Sequence, residues 1–333
     1  MLLLLLSGCD TGNSRPVHAF YYWRTTFDDN DTVSAGLIDR LDAAHFYIRY
    51  MDVDIDKRTG QPVPVAAIGQ KNRGSAAFTG KSFTPVVFIT ARVFGSITDA
   101  GADTLAEKIA DKVAEINHRL AAGASGPKEL QIDCDWTAAS KERYFRFLRR
   151  LRTLEPGVEL SATIRAYPYK YRTKMGVPPV DRGMLMCYNM GGISNMATKN
   201  SVFDAKELGK YLTVDKYPLP LDAALPVFGW QVWFGNGKYK GIIHEDLLTG
   251  NEQLYVREGD NRYRFVTDTV LGDRYFREGD VLRAEYAGEH ELIAAADMLH
   301  KKLPDMRRLA FFDWNTTSII RYEHTIQAIY SRH

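Results

Sequence analysis

A chain of 333 residues, 45% hydrophobic and 25% charged, is long enough to bury a large core and has the composition of a globular protein, which excludes disorder. Its 43 basic and 41 acidic residues nearly cancel, and the basic ones are scattered or paired with acids along helices, which argues against a nucleic-acid partner. Aromatics reach 12%, with five Trp and 18 Tyr, and several fall at predicted strand ends, so a site with flat stacking walls is expected.

The chain opens MLLLLLSGCDTGNS. Five leucines precede Ser7, Gly8 and Cys9, and a polar segment follows; an apolar run this short cannot span a membrane. The arrangement resembles a bacterial lipoprotein signal, whose Leu-Ser-Gly-Cys box marks Cys9 for acylation. The resemblance implies that residues 1 to 16 are signal and tether, and that a lipid on Cys9 holds the folded part at a membrane of the bacterial cell envelope. Cys134 and Cys187 lie inside apolar runs and are expected as buried, unbonded thiols, since a strand between them keeps them about 10 Å apart.

Beyond the tether, apolar runs alternate with helical patterns. VHAFYYW (17 to 23) predicts a first strand, and a helix candidate then ends near Ala44. HFYIRYMDVDI (45 to 55) is the second strand, followed by a Pro- and Gly-rich loop, and FTPVVFITARVF (83 to 94) is the third. Leu105, Ile109, Val113, Ile116 and Leu120 recur at three- and four-residue spacing, which is helical. LQIDCDW (130 to 136) is the fourth strand, with Tyr144, Phe147, Leu148 and Leu151 marking its helix. Strands follow at 158 to 167, 184 to 190, 225 to 234 and 308 to 314, with helices at about 203 to 212 and 289 to 302 between the later ones.

Eight apolar strands alternating with helices imply parallel strands, because only a crossover returns the chain in that sense. No Gly-rich loop follows the first strand, so a closed (β/α)8 TIM barrel over residues 17 to 333 is favoured over an open nucleotide-binding sheet. Between residues 240 and 287 the alternation changes period around Gly259-Asp260 and Gly279-Asp280. That segment reads as a small antiparallel β insertion after strand 7, a wall or lid on the barrel rim.

The fourth strand carries the sharpest signal. Gln131, Asp133 and Asp135 share one face, and that face should point into the barrel near its C-terminal mouth, where this fold does its chemistry. Two alternatives stand beside that reading: Asp135 as a cap for the next helix, and Asp133 as a buried acid paired with Arg165.

Asp133-Cys134-Asp135-Trp136-Thr137 resembles the fourth-strand motif of the glycoside hydrolase family 18 chitinases, D-x-x-D-x-D-x-E, and Tyr188-Asn189 after Met186 resembles that family's sixth-strand Met-x-Tyr-Asp motif. The chain is also similar in layout to bacterial lipoproteins with barrels of this kind. The resemblance implies a glycan ligand or substrate and no cofactor. It departs at one point: Thr137 stands in the place of the family's general-acid Glu, and a threonine hydroxyl cannot donate a proton at a useful pKa. Asp135 is then the expected acid, tuned by Asp133, with Asp313 as a second carboxylate across the mouth and with Tyr188 and Asn189 holding an acetamide or a water.

Aromatic and basic residues complete the expected site. Trp23, Trp233 and Trp314 would stack on sugar faces, while Arg49, Arg165 and Gln231 would hydrogen-bond hydroxyls or a carboxylate. No His, Cys and acid cluster has metal-ligand spacing; His244-Glu245-Asp246 reads as a solvated turn. Two classes remain open: a glycosidase, and a catalytically inactive glycan-binding barrel. A monomer is expected in either.

Overall fold

The computed structural model describes residues 15–28, 32–71, 78, 80–120, 127–214 and 216–332. Cys9 and most of the expected tether lie outside them. Eight strands pair in parallel all the way round: β1 (Val17–Tyr22), β2 (His45–Ile55), β3 (Ser82–Ile89), β4 (Glu129–Asp133), β5 (Glu159–Arg165), β6 (Arg182–Met186), β7 (Leu221–Pro226) and β8 (Arg308–Phe312). Closure comes from β1, which pairs with β8 through Ala19↔Ala310 and with β2 through Phe20↔Phe46. The fold is therefore the expected (β/α)8 barrel.

Each barrel strand divides its side chains between two cores, as period-2 alternation requires. Phe20, Phe46, Ile132, Leu185 and Phe311 face outward to the helices. Ala19, Tyr21, Tyr47, Met184, Met186 and Ala310 fill the barrel axis. Toward the N-terminal end the axis turns polar: buried Glu129 accepts from Ser161 Oγ at 2.6 Å and Thr84 Oγ1 at 3.2 Å, and pairs with Arg308. The helix Asp99–Leu120 buries Leu105, Ile109, Val113 and Ile116, the stripe its spacing predicts. Cys134 and Cys187 are free and buried. No helix among the described residues is long and apolar enough to cross a membrane.

Three sequence readings need correction. The loop after β2 contains a strand, Pro62–Ala67, that runs antiparallel to the C-terminal half of β2. More consequentially, 225 to 234 is not one strand. β7 ends at Pro226, and Gly229–Gly235 belongs to the insertion, paired antiparallel with Lys238–Ile243 and Val281–Tyr286. The insertion sheet thus begins about ten residues before 240, with Tyr255–Glu258 and Arg262–Phe265 as its other strands. Third, β3, β4, β6 and β8 stop at Ile89, Asp133, Met186 and Phe312, short of the predicted ends at Phe94, Trp136, Met190 and Trp314, and a helix, Ala91–Ser96, follows β3.

Gly229 marks the switch from barrel to insertion. A Cβ there would meet the Tyr286 ring at 2.1 Å and the Glu285 carbonyl oxygen at 2.6 Å, so only glycine permits this close strand approach.

Candidate functional site

Asp133 is the last residue of β4 and points into the mouth, half-buried, accepting a hydrogen bond from Thr163 Oγ1 on β5 at 2.6 Å. Burial, and then the charge of Asp135, push its carboxyl up to about 7; Thr163 and Arg165 oppose the rise. Asp135, two residues past the strand end, is exposed and pairs with Arg165 Nη1 at 3.3 Å. Neither alternative reading of the two acids holds. Ser140, and not Asp135, stands at the N-cap position of the next helix, Lys141–Leu154, and Arg165 pairs with Asp135 and not with Asp133.

Thr137 is occupied in starting that helix. Its N–H donates to Ser140 Oγ at 2.9 Å, and the Ser140 N–H returns a bond to Thr137 Oγ1 at 3.3 Å. No carboxylate therefore stands where the family's general acid would.

On the β6 side, Arg165 Nη2 donates to the Asn189 carbonyl at 2.8 Å, so one guanidinium spans the ends of β4 and β6. Asn189 has a left-handed backbone, φ 54°, which asparagine tolerates better than most residues, and its buried Oδ1 accepts no hydrogen bond among the described residues. The Tyr188 hydroxyl donates to the Met186 sulfur at 3.5 Å, and burial holds it well above the usual phenol range.

An aromatic wall runs round the opposite half of the mouth. Trp23 packs on Phe312 at 5.3 Å and Phe88 at 6.3 Å; Tyr188 packs on Phe312 at 5.3 Å and Phe228 at 5.6 Å. Arg49 lies over Trp23, 5.5 Å from the ring centroid, and its Nε donates to Asp52 at 2.6 Å. These two residues, three apart on a strand, meet because the β2–β3 register shifts between Arg49 and Met51, a bulge that re-aims Asp52. Asp313 follows the cis peptide Phe312–Asp313; burial raises its carboxyl above the usual range, against Arg24 and His244.

The structure thus brings together Asp133, Asp135, Tyr188, Asn189, Arg165, Arg49 and Trp23. It takes three expected residues elsewhere. Gln231 is buried in the insertion, donating to Asp246 Oδ1 at 3.0 Å. Trp233 packs on Phe276 at 4.9 Å and donates to Asp280 at 3.0 Å, within the insertion's own core. Trp314 has no exposed surface: it sits edge-on to Phe20 at 4.8 Å and Phe46 at 5.3 Å, on the outward face, and donates to Ser34 Oγ at 2.9 Å. Strand β8 ends at Phe312, so the alternation that would have aimed Trp314 inward stops before it.

Phe312, Phe88, Phe228 and Thr163 were missed. For Phe312 a signal existed, because Arg308, Ala310 and Phe312 share the inward face of RLAFF. No group of three or more His, Cys, Asp or Glu able to hold a metal is found among the described residues.

A closed parallel barrel, two acids leaving strand 4 at its C-terminal mouth and an antiparallel insertion after strand 7 define a glycoside hydrolase family 18-like TIM barrel. The structure is similar to the chitinase from Chromobacterium violaceum ATCC 12472, with a TM-score of 0.54 and 10% identity over 95% of this chain and 98% of that one. It is similar also to the Bacillus cereus spore cortex-lytic enzyme SleL, with a TM-score of 0.53 and 15% identity over 94% of this chain and 75% of that one. At such identities the likeness is one of fold. No family model matches the sequence, and no curated protein matches it.

Proposed function

We propose that the protein acts on a glycan at the C-terminal mouth of the barrel, with Asp133 and not Asp135 as the proton-carrying acid. The observation that supports this most is the position of Asp133: a half-buried carboxyl, raised to about 7, at the base of an opening walled by Trp23, Phe88 and Phe312. Apolar C–H faces of a sugar pack on such rings. A carboxyl poised near neutrality can give its proton to a glycosidic oxygen as the C–O bond breaks. The positive charge that develops at the anomeric carbon then needs a carboxylate or a group of the substrate itself, and the Tyr188 hydroxyl and Asn189 side chain are the polar groups available to orient that group.

Thr137 favours a second reading, a barrel that binds glycan without cleaving it, because the position is committed to the turn it closes with Ser140. One experiment separates the two. The protein is incubated with a panel of oligosaccharides; cleavage is followed by mass analysis and binding by thermal shift. Cleavage supports the glycosidase, a thermal shift without cleavage supports the binding protein, and neither response removes the glycan reading.

We also propose that Cys9 is acylated and anchors the barrel at the cell envelope, on the strength of the Leu-Ser-Gly-Cys box. The wild-type protein should partition into detergent and Cys9→Ser should release it to the soluble fraction. Partitioning unchanged by that substitution would remove the anchor.

A further inference from the structure

The insertion contains an ion pair with no solvent exposure on either side chain, Arg283 with Glu285. Taking two charges out of water is costly, and a packed apolar pair usually serves stability as well. Their other hydrogen bonds show what holds them. Arg283 donates to the Asn195 carbonyl at 2.7 Å and the Ile193 carbonyl at 2.9 Å. Glu285 accepts from the Ser201 N–H at 2.9 Å, from the Ser201 hydroxyl and from Trp230 Nε1 at 2.9 Å. Both residues therefore grip the loop 190–202, which leaves the end of β6. Asn261 adds a bond to the Lys199 carbonyl at 2.8 Å.

That loop closes on the mouth. The Asn189 N–H donates to the Val202 carbonyl at 2.8 Å, so both ends of the loop meet at Asn189, and the Asn189 carbonyl receives Arg165 Nη2 at 2.8 Å. Arg165 in turn reaches Asp135. A connected set of hydrogen bonds runs from the insertion to the acid pair.

We infer that Arg283 and Glu285 are positioning residues: from the insertion they fix the 190–202 loop and, through the Asn189 carbonyl, hold Arg165 against Asp135 at the barrel mouth. The relationship holds whichever ligand the mouth takes. It makes the insertion part of the site's machinery, although neither residue reaches the mouth.

The consequence falls on Asp133, which is faced by Asp135 and Cys134 just past the end of its own strand, Arg165 from β5, Asp52 from β2, Tyr21 from β1, Tyr188 after β6 and Tyr144 from the helix Lys141–Leu154. Arg165 is the cation of that set. If the loop loosens, Arg165 loses its anchor on Asn189, and the Asp133 carboxyl should titrate higher.

The test uses the full chain with aspartate side-chain carboxyls labelled for NMR titration. Glu285→Gln is the direct variant. Since it leaves Arg283 buried without its partner, Ser201→Ala combined with Asn261→Ala provides a milder one that keeps the ion pair. In each variant that folds, amide exchange should quicken over 189–202, and the Asp133 midpoint should move up by about half a unit or more, the low end of what a neighbouring cation does to a carboxylate. In an Arg165→Gln background the same substitutions should add nothing further, because the coupling passes through Arg165. Faster loop exchange with an unmoved Asp133 midpoint, or an equal shift in the Arg165→Gln background, would overturn the assignment.

Discussion

Asp133 and Asp135 leave the same strand two residues apart and end in opposite surroundings. Asp133 sits half-buried under Thr163 with its carboxyl pushed up to about 7, while Asp135 stands in solvent against Arg165. The strand stops at Asp133, and the two-residue step from that end to Asp135 separates a site for a proton from a site for a fixed charge.

The raised carboxyl has a stability signature. An unfolded aspartate titrates near 3.9, so between about pH 4 and pH 7 the native state binds more protons at Asp133 than the unfolded chain does. Stability contributed by this group is present at the acid end of that window and falls as pH rises through it. Asp133→Asn keeps an acceptor for Thr163 and removes the titration. Urea unfolding at pH 5 and pH 8 should show the variant gaining on the wild type at the higher pH; a difference independent of pH would contradict the assignment.

Trp23 and Trp314 make opposite predictions. Trp314 is wholly enclosed between Phe20, Phe46 and Ser34, so Trp314→Ala should cost about 3–5 kcal/mol of unfolding free energy. Trp23 is half-exposed on the mouth wall, so Trp23→Ala should change stability little and weaken glycan binding by ~1–2 kcal/mol. Denaturant titration and a binding isotherm on each variant decide the matter. A Trp314→Ala protein of normal stability would show that the residue does not pack as described.

That contrast explains what could be read from the sequence. Hydrophobic runs and helical spacing are local properties, so seven of the eight barrel strands, the long helix Asp99–Leu120 and the insertion were legible, and so was the inward face of Asp133. Strand ends were not. LPVFGWQVWF reads as one apolar run, and only tertiary pairing shows that Pro226 closes a barrel strand and Gly229 opens one in another sheet. The misplacement of Gln231 and Trp233 follows from that, and the misplacement of Trp314 follows from the early end of β8 at Phe312. The Arg49–Asp52 pair was hidden for a related reason, because a bulge breaks the alternation that would otherwise put the two on opposite faces.

Gly229 tests the junction directly. Its missing side chain lets the strand pass the Tyr286 ring and the Glu285 carbonyl, and a backbone oxygen cannot swing aside as a flexible side chain can. Gly229→Ala should destabilise by about 1–3 kcal/mol, and exchange should quicken first in Gly229–Gly235 and Val281–Tyr286. Unchanged exchange in both strands would show that the contact relaxes without loss.

The roles of the two acids are tested by turnover once a cleaved oligosaccharide is in hand. If Asp133 donates the proton, the rate should fall as pH rises through about 7, where that carboxyl ionises. Asp133→Asn should lower kcat by about 10²–10⁴-fold while the thermal shift with the same sugar persists, because the amide retains shape and hydrogen bonding but carries no transferable proton. Asp135→Asn acts differently. It removes the charge that helps hold Asp133 up and leaves Arg165 without its carboxylate, and both changes favour ionised Asp133. The falling limb of the pH profile should therefore move to lower pH, with the rate at pH 5 retained better than the rate at pH 7. Full loss of turnover at every pH in Asp135→Asn would return the acid's role to Asp135.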